Sequence, residues 1–162
     1  MGRPRPLDPA DHWQRPWRVH ALAQAEGLEL HDVWEVDTAL PSGATLARWV
    51  EAWRRERQGA ATRALFTLRW ALGHLLGLDR GSAGFTAVYV EPEEQLHRID
   101  NRTVSAFLHL SLADRRPRLA VYVRARGRLG RWYMRAIDPL RRRIVYPSLL
   151  AAGRRAARRL AL

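Results

Sequence analysis

LAVYVRARGRLGRWYMRAIDPLRRRIVYP, Leu119–Pro147, is the stretch whose reading decides the fold. It begins with period two, Leu119, Val121 and Val123 pointing inward against Arg118, Tyr122 and Arg124, which is the pattern of a strand with one apolar face. It then passes Gly127 and Gly130, which let the chain turn, and takes up helical spacing. Trp132, Tyr133, Ala136, Ile137, Leu140 and Ile144 fall on one side, with Arg131, Arg135, Asp138, Arg142 and Arg143 largely on the other. Pro139 and Pro147 are expected to kink or interrupt this helix, because proline removes a backbone donor and clashes with the preceding turn.

Upstream, Val104, Ala106, Leu108, Leu110 and Leu112 alternate with Thr103, Ser105, Phe107, His109 and Ser111, a second strand with one apolar face. Asp100 and Asn101 turn it back to Glu94–Ile99, and Phe85–Val90, stopped at Pro92, supplies another strand. Before these, Leu46, Trp49, Val50 and Trp53 make the stripe of an amphipathic helix, and Leu65, Leu68, Leu72, Leu75 and Leu76 make a second, capped by Gly77. Trp17–Ala25 reads as a short helix closed by Gly27, and Leu30–Val36 as a strand. The expected fold is α+β: an antiparallel curved sheet, two short helices and a long C-terminal helix gripped by the sheet.

At 162 residues the chain reads as one domain, over residues 15–162, long enough to bury roughly 70% of its unfolded surface. Residues 1–14, crowded with Pro4, Pro6 and Pro9, read as a flexible leader. The absence of cysteine excludes disulfides, thiol nucleophiles and iron–sulfur clusters. No apolar run follows Met1–Pro9 as a signal peptide requires, and no apolar stretch is long enough to span a bilayer, so the expected location is the cytoplasm. Every basic residue is arginine, which points to a coding bias as well as to partners. The charge is uneven: residues 1–114 hold 13 arginines against 15 acids, residues 115–162 hold 15 against Asp138 alone.

RPWRVH (Arg15–His20), DVWEV (Asp32–Val36), ALFTLRWALGHLLG (Ala64–Gly77), NRTVSAFLHLSL (Asn101–Leu112) and LGRWYMRAIDPLRRRIVYPSLL (Leu129–Leu150) resemble the bacterial proteins of domain of unknown function 2867. The last is the most specific, through Tyr133, Met134, Pro139, Arg141 and the IVYP at 144–147. Leu140 departs from a position that is often aromatic, and the link Asp79–Gly84 is short. The resemblance implies a START-like, helix-grip fold of the SRPBCC superfamily with an apolar cavity, and it carries no catalytic residues.

Val104, Ala106, Leu108, Val121, Trp132, Tyr133 and Ile137 are therefore the expected lining of a hydrophobic ligand site between sheet and C-terminal helix, the alternative being that they simply pack as core. A polyketide-cyclase-like enzyme, with His97 or Tyr133 moving a proton, is the competing class. His97 and His109 with Asp100, Ser105 and Ser111 would make an acid–base or metal cluster only if the register brings both histidines to one face. A two-residue turn pairs His97 with Val104 and separates them, whereas a three-residue loop pairs it with Ser105 and unites them. No HExxH, GxSxG, dinucleotide or P-loop motif is present, so neither metal nor cofactor is expected. Arg154, Arg155, Arg158 and Arg159 read as a solvated face, then as a contact with an anionic membrane surface. Nucleic acid ranks last, since no recognition motif joins these arginines.

Overall fold

The computed structural model of the chain describes residues 6–56, 85–100 and 102–162. Two helices, α1 (Pro9–Trp13) and α2 (Arg18–Glu26), precede strand β1 (Glu29–Glu35) and helix α3 (Leu46–Glu56). Strands β2 (Thr86–Val90), β3 (Glu94–Asp100), β4 (Val104–Ala113) and β5 (Arg116–Ala125) follow. Helix α4 (Gly127–Leu140), a π-helical segment (Arg141–Val145) and α5 (Tyr146–Arg159) close the chain. The helix expected over Leu65–Leu76, with its cap at Gly77 and the Asp79–Gly84 link, lies outside the described residues.

The strands form one antiparallel sheet in the order β1-β5-β4-β3-β2. The paired residues Trp34–Leu119 and Leu119–Leu110 fix one face, and Val33–Ala120, Ala120–His109 and His109–Leu96 fix the other. On the first face, Trp34, Leu110 and Leu119 meet Trp49 and Trp53 of α3 and Tyr146, Leu150 and Ala156 of α5. The indole N–H of Trp49 donates to the carbonyl of Gly153 at 3.1 Å and that of Trp53 to Leu149 at 3.0 Å, so α3 is tied to α5 through satisfied buried donors.

Where the alternation in β4 suggested a solvent face, Ser105, Phe107, His109 and Ser111 are buried. The cover is the N-terminal segment. From Pro6 onward, the residues read as part of a flexible leader pack on the sheet: Pro6 bridges Trp34, the Leu7 N–H donates to the Val33 carbonyl, and α1 carries a fully buried His12. Val19 and Ala23 of α2 close over Val33, Leu96, Phe107, Ala120 and Tyr122. Crowded prolines remove helical continuity but do not prevent packing, since Pro9 stands in the first turn of α1, where no N–H partner is lost.

The C-terminal helix also absorbs its prolines differently from expectation. Pro139 lies inside α4 and Pro147 in the first turn of α5, with the wide π turn between them. Pro147 has no N–H to offer the preceding turn, and the chain stays right-handed helical through Val145 and Tyr146, so the helical course bulges rather than breaks. The two glycines at the helix start have separate roles. Gly127 adopts φ 63°, the left-handed region, whereas a Cβ on Gly130 would lie 2.3 Å from the Thr103 carbonyl oxygen. Gly130 is what lets α4 lie directly against the β3–β4 turn.

Candidate functional site

Asp100 pairs with Ser105, leaving four residues between them, and the same register pairs His97 with Leu108. That register is neither of the two weighed from sequence. His97 thus lies on the face of Leu108, and His109 on the opposite one, so the two histidines share no site. The Ser105 hydroxyl donates to Asp100 at 2.5 Å and accepts from Arg126 at 2.6 Å, an arrangement that secures the turn.

On the helix-covered face one row of cross-strand partners runs Asp32 (β1), Val121 (β5), Leu108 (β4), His97 (β3), a span of three strand spacings or about 15 Å. Asp32 shares this face with Trp34 by alternation, and the register of β1 shifts only before it, between Leu30 and Asp32. Leu108 and Val121 stay half-buried, although the pairs on either side, Ala106–Val123 and Leu110–Leu119, are buried. Along the row's flank, Val104, Ala106 and Val123 pack with Met134, joined by Val121, Tyr133 and Ile137. Six of the seven expected lining residues thus lie on or beside this row. Trp132 does not: it is 58% exposed, on the outer surface of α4.

At the β1 end the row meets a polar cluster that sequence reasoning missed. The Asp32 carboxylate is buried and accepts from Arg141 at 2.6 Å and from the Tyr146 hydroxyl at 2.9 Å. His31 Nδ1 lies 2.9 Å from both the Asp32 carboxylate and the Arg141 guanidinium, and donates to the first or accepts from the second according to its tautomer. Burial alone would push the Asp32 carboxyl up, but His31, Tyr146 and Arg141 outweigh it and hold it below its usual range. Burial pushes the Tyr146 hydroxyl up. His31, Asp32 and Asp138 converge closely enough to suggest a metal site, but the Arg141 guanidinium, 3.3 Å from Asp138 as well, stands where the cation would. These residues fit an ion-pair cluster, not a metal. The readable signal was Asp32 itself: a carboxylate within the apolar run of a strand needs a buried partner.

The opposite face holds a second polar network. His20 donates from Nε2 to the His12 carbonyl at 3.1 Å, so its Nδ1 accepts from the Tyr122 hydroxyl at 3.0 Å, and that oxygen accepts from His12 Nε2 at 3.1 Å. His109 donates from Nε2 to Glu94 at 2.9 Å; Glu94 also accepts from Tyr89 at 3.0 Å and from the Arg18 backbone N–H at 3.1 Å. Burial, reinforced by neighbouring cations, pushes His12 down to about 3, and burial lowers His109 despite Glu94. Both rings are therefore neutral near pH 7. Beside Glu94 a depression of about 550 Å³ opens among Arg15, Pro16, Trp17, Glu91, Pro92 and Glu93.

The family model described as protein of unknown function, DUF2867, matches residues 24–148, and the chain belongs to that family. Comparisons with curated proteins and with solved structures give no match. The matched span includes the Asp32–His97 row and the Arg141–Tyr146 cluster; His12 and His20 precede it. Among the described residues no helix is long and apolar enough to cross a membrane.

Proposed function

We propose that the chain is a helix-grip domain that binds a hydrophobic small molecule over Leu108 and Val121. One observation carries this reading: these cross-strand partners, in two inner strands and on the helix-covered face, keep access to solvent while the pairs on either side are buried. A core packed to ordinary density leaves no such interruption at the middle of a sheet. Tyr133 and Ile137 of α4 border the opening, and His97 and Arg141 stand at its two ends. The Arg141 Nε–H has no acceptor among the described residues, which supports a ligand with an apolar body and one acceptor group. No turnover is assigned, because the polar groups at the Asp32 end are engaged with one another.

Native mass spectrometry of the protein purified from its own host, set against its denatured mass, tests the reading. The expected result is an excess mass that is extractable into organic solvent and absent from a Leu108→Trp variant. Bare protein in both cases, together with no uptake of a fatty acid or polycyclic aromatic probe, would falsify it.

A further inference from the structure

The basic C-terminal third does not present its charge where the arginine count suggests. On α5, Arg154 pairs with Asp37 at 3.2 Å, while Arg155 and Arg159 both reach Glu56, at 2.8 and 2.7 Å. Three of the four arginines offered as a membrane contact are thus spent within the molecule. On α4 the situation is the reverse. Arg128, Arg131 and Arg135 are exposed, recur at i, i+3 and i+7, and have no acidic partner among the described residues. Beside them Leu129 and Trp132, one helical turn apart, are 56% and 58% exposed.

We propose that this outer face of α4 docks on an anionic lipid bilayer. Exposed guanidinium groups attract the negative surface, and Trp132 has the size and amphipathic ring that settle at the headgroup level. Leu129 adds apolar area directed the same way, so charge and hydrophobic contact act together, as in helices that lie in the interface plane. A nucleic-acid backbone would engage the arginines but leave Leu129 without a partner. The inward face of the same helix, through Met134, Tyr133 and Ile137, keeps its packing on the sheet, so docking requires no unfolding.

The experiment is co-sedimentation of the whole chain with phosphatidylcholine vesicles, with and without phosphatidylserine, at near-physiological salt. Binding is expected only with phosphatidylserine. Combined Arg128→Glu, Arg131→Glu and Arg135→Glu is expected to weaken it at least about 30-fold, given the contribution of each basic residue near a charged surface. Trp132→Ala weakens it several-fold, and Arg155→Gln with Arg159→Gln leaves it within about twofold. All sites are exposed, and unchanged thermal melts of the α4 variants would confirm intact folds. The proposal is overturned if wild-type protein ignores phosphatidylserine vesicles, or if the α5 variant loses binding as the α4 variant does. Salt-sensitive binding to duplex DNA without vesicle binding would assign the face to nucleic acid instead.

Discussion

The two faces of the sheet are covered by different means and to different depths. The N-terminal face is covered by α1 and α2, which bring His12 and His20 to Tyr122 and His12 against His109, and a depression of about 550 Å³ opens at its margin beside Glu94. The helix-covered face is packed at its two ends, by α3 with α5 and by α4, and leaves Leu108 and Val121 half-buried between them. The difference teaches that the face bearing the regular apolar alternation keeps a half-buried pair at mid-sheet, whereas the other keeps its depression beside Glu94 and the β2–β3 turn. A continuous apolar floor can tolerate an opening, since exposing hydrocarbon costs only about 25 cal/mol per Å². On the other face the buried Nε2 donors of His12 and His109 are held by fixed partners, Tyr122 and Glu94, because an unpaired buried donor is costly.

The largest expected effect that sharpens this contrast is acid sensitivity. With His12 held at about 3 in the folded chain against 6.5 when unfolded, protons bind preferentially to the unfolded state at intermediate pH. Stability is therefore full above pH 6.5 and falls as pH drops toward 3, by on the order of 4 kcal/mol from this group, with His109 adding to the loss. Urea titrations over that range check it; a flat profile, or the same slope in His12→Gln, would remove the sealed histidine from the account.

Next comes a matched pair. Leu96→Ala, on the N-terminal face, is expected to cost about 3 kcal/mol, whereas Leu108→Ala costs about 1, because Leu108 is only half-buried. Equal losses in chemical denaturation would mean the two faces are equally packed. Smaller again is the comparison of hydroxyls. Tyr122→Phe strips both His12 and His20 of a partner and should cost about 2 kcal/mol, while Tyr146→Phe leaves Asp32 with Arg141 and His31 and should cost about 1. Reversal of that order would place the more demanding polar network at Asp32.

Much of the architecture was legible. Strands β4 and β5, the Trp49–Trp53 stripe and the C-terminal helix follow from periodicity, since each buries a continuous apolar face, whereas β2 and β3 follow from residue type and turn signals. The second covered face was not, because His109, Ser111 and Ser105 carry the residue types of a solvated face; only Phe107 and Tyr122 at the same register hinted that apolar cover would arrive. The lining residues on the strands could be read from alternation. Trp132 could not be assigned, because Tyr133 beside it competes for the inward position and Gly130 fixes the rotation of α4 by close approach to Thr103. Arg141 meets Asp32 across 109 residues, and no spacing rule connects them.

The claim that the helix-covered face holds an apolar opening is tested most directly by methyl-resolved NMR of the protein under xenon, a probe that enters dry apolar space without polar handles. Saturable shifts of the Leu108 and Val121 methyls are expected, with the fully buried Leu96 and Val33 methyls on the opposite face unmoved. Shifts at Leu96 and Val33 with none at Leu108 and Val121 would contradict the apolar opening.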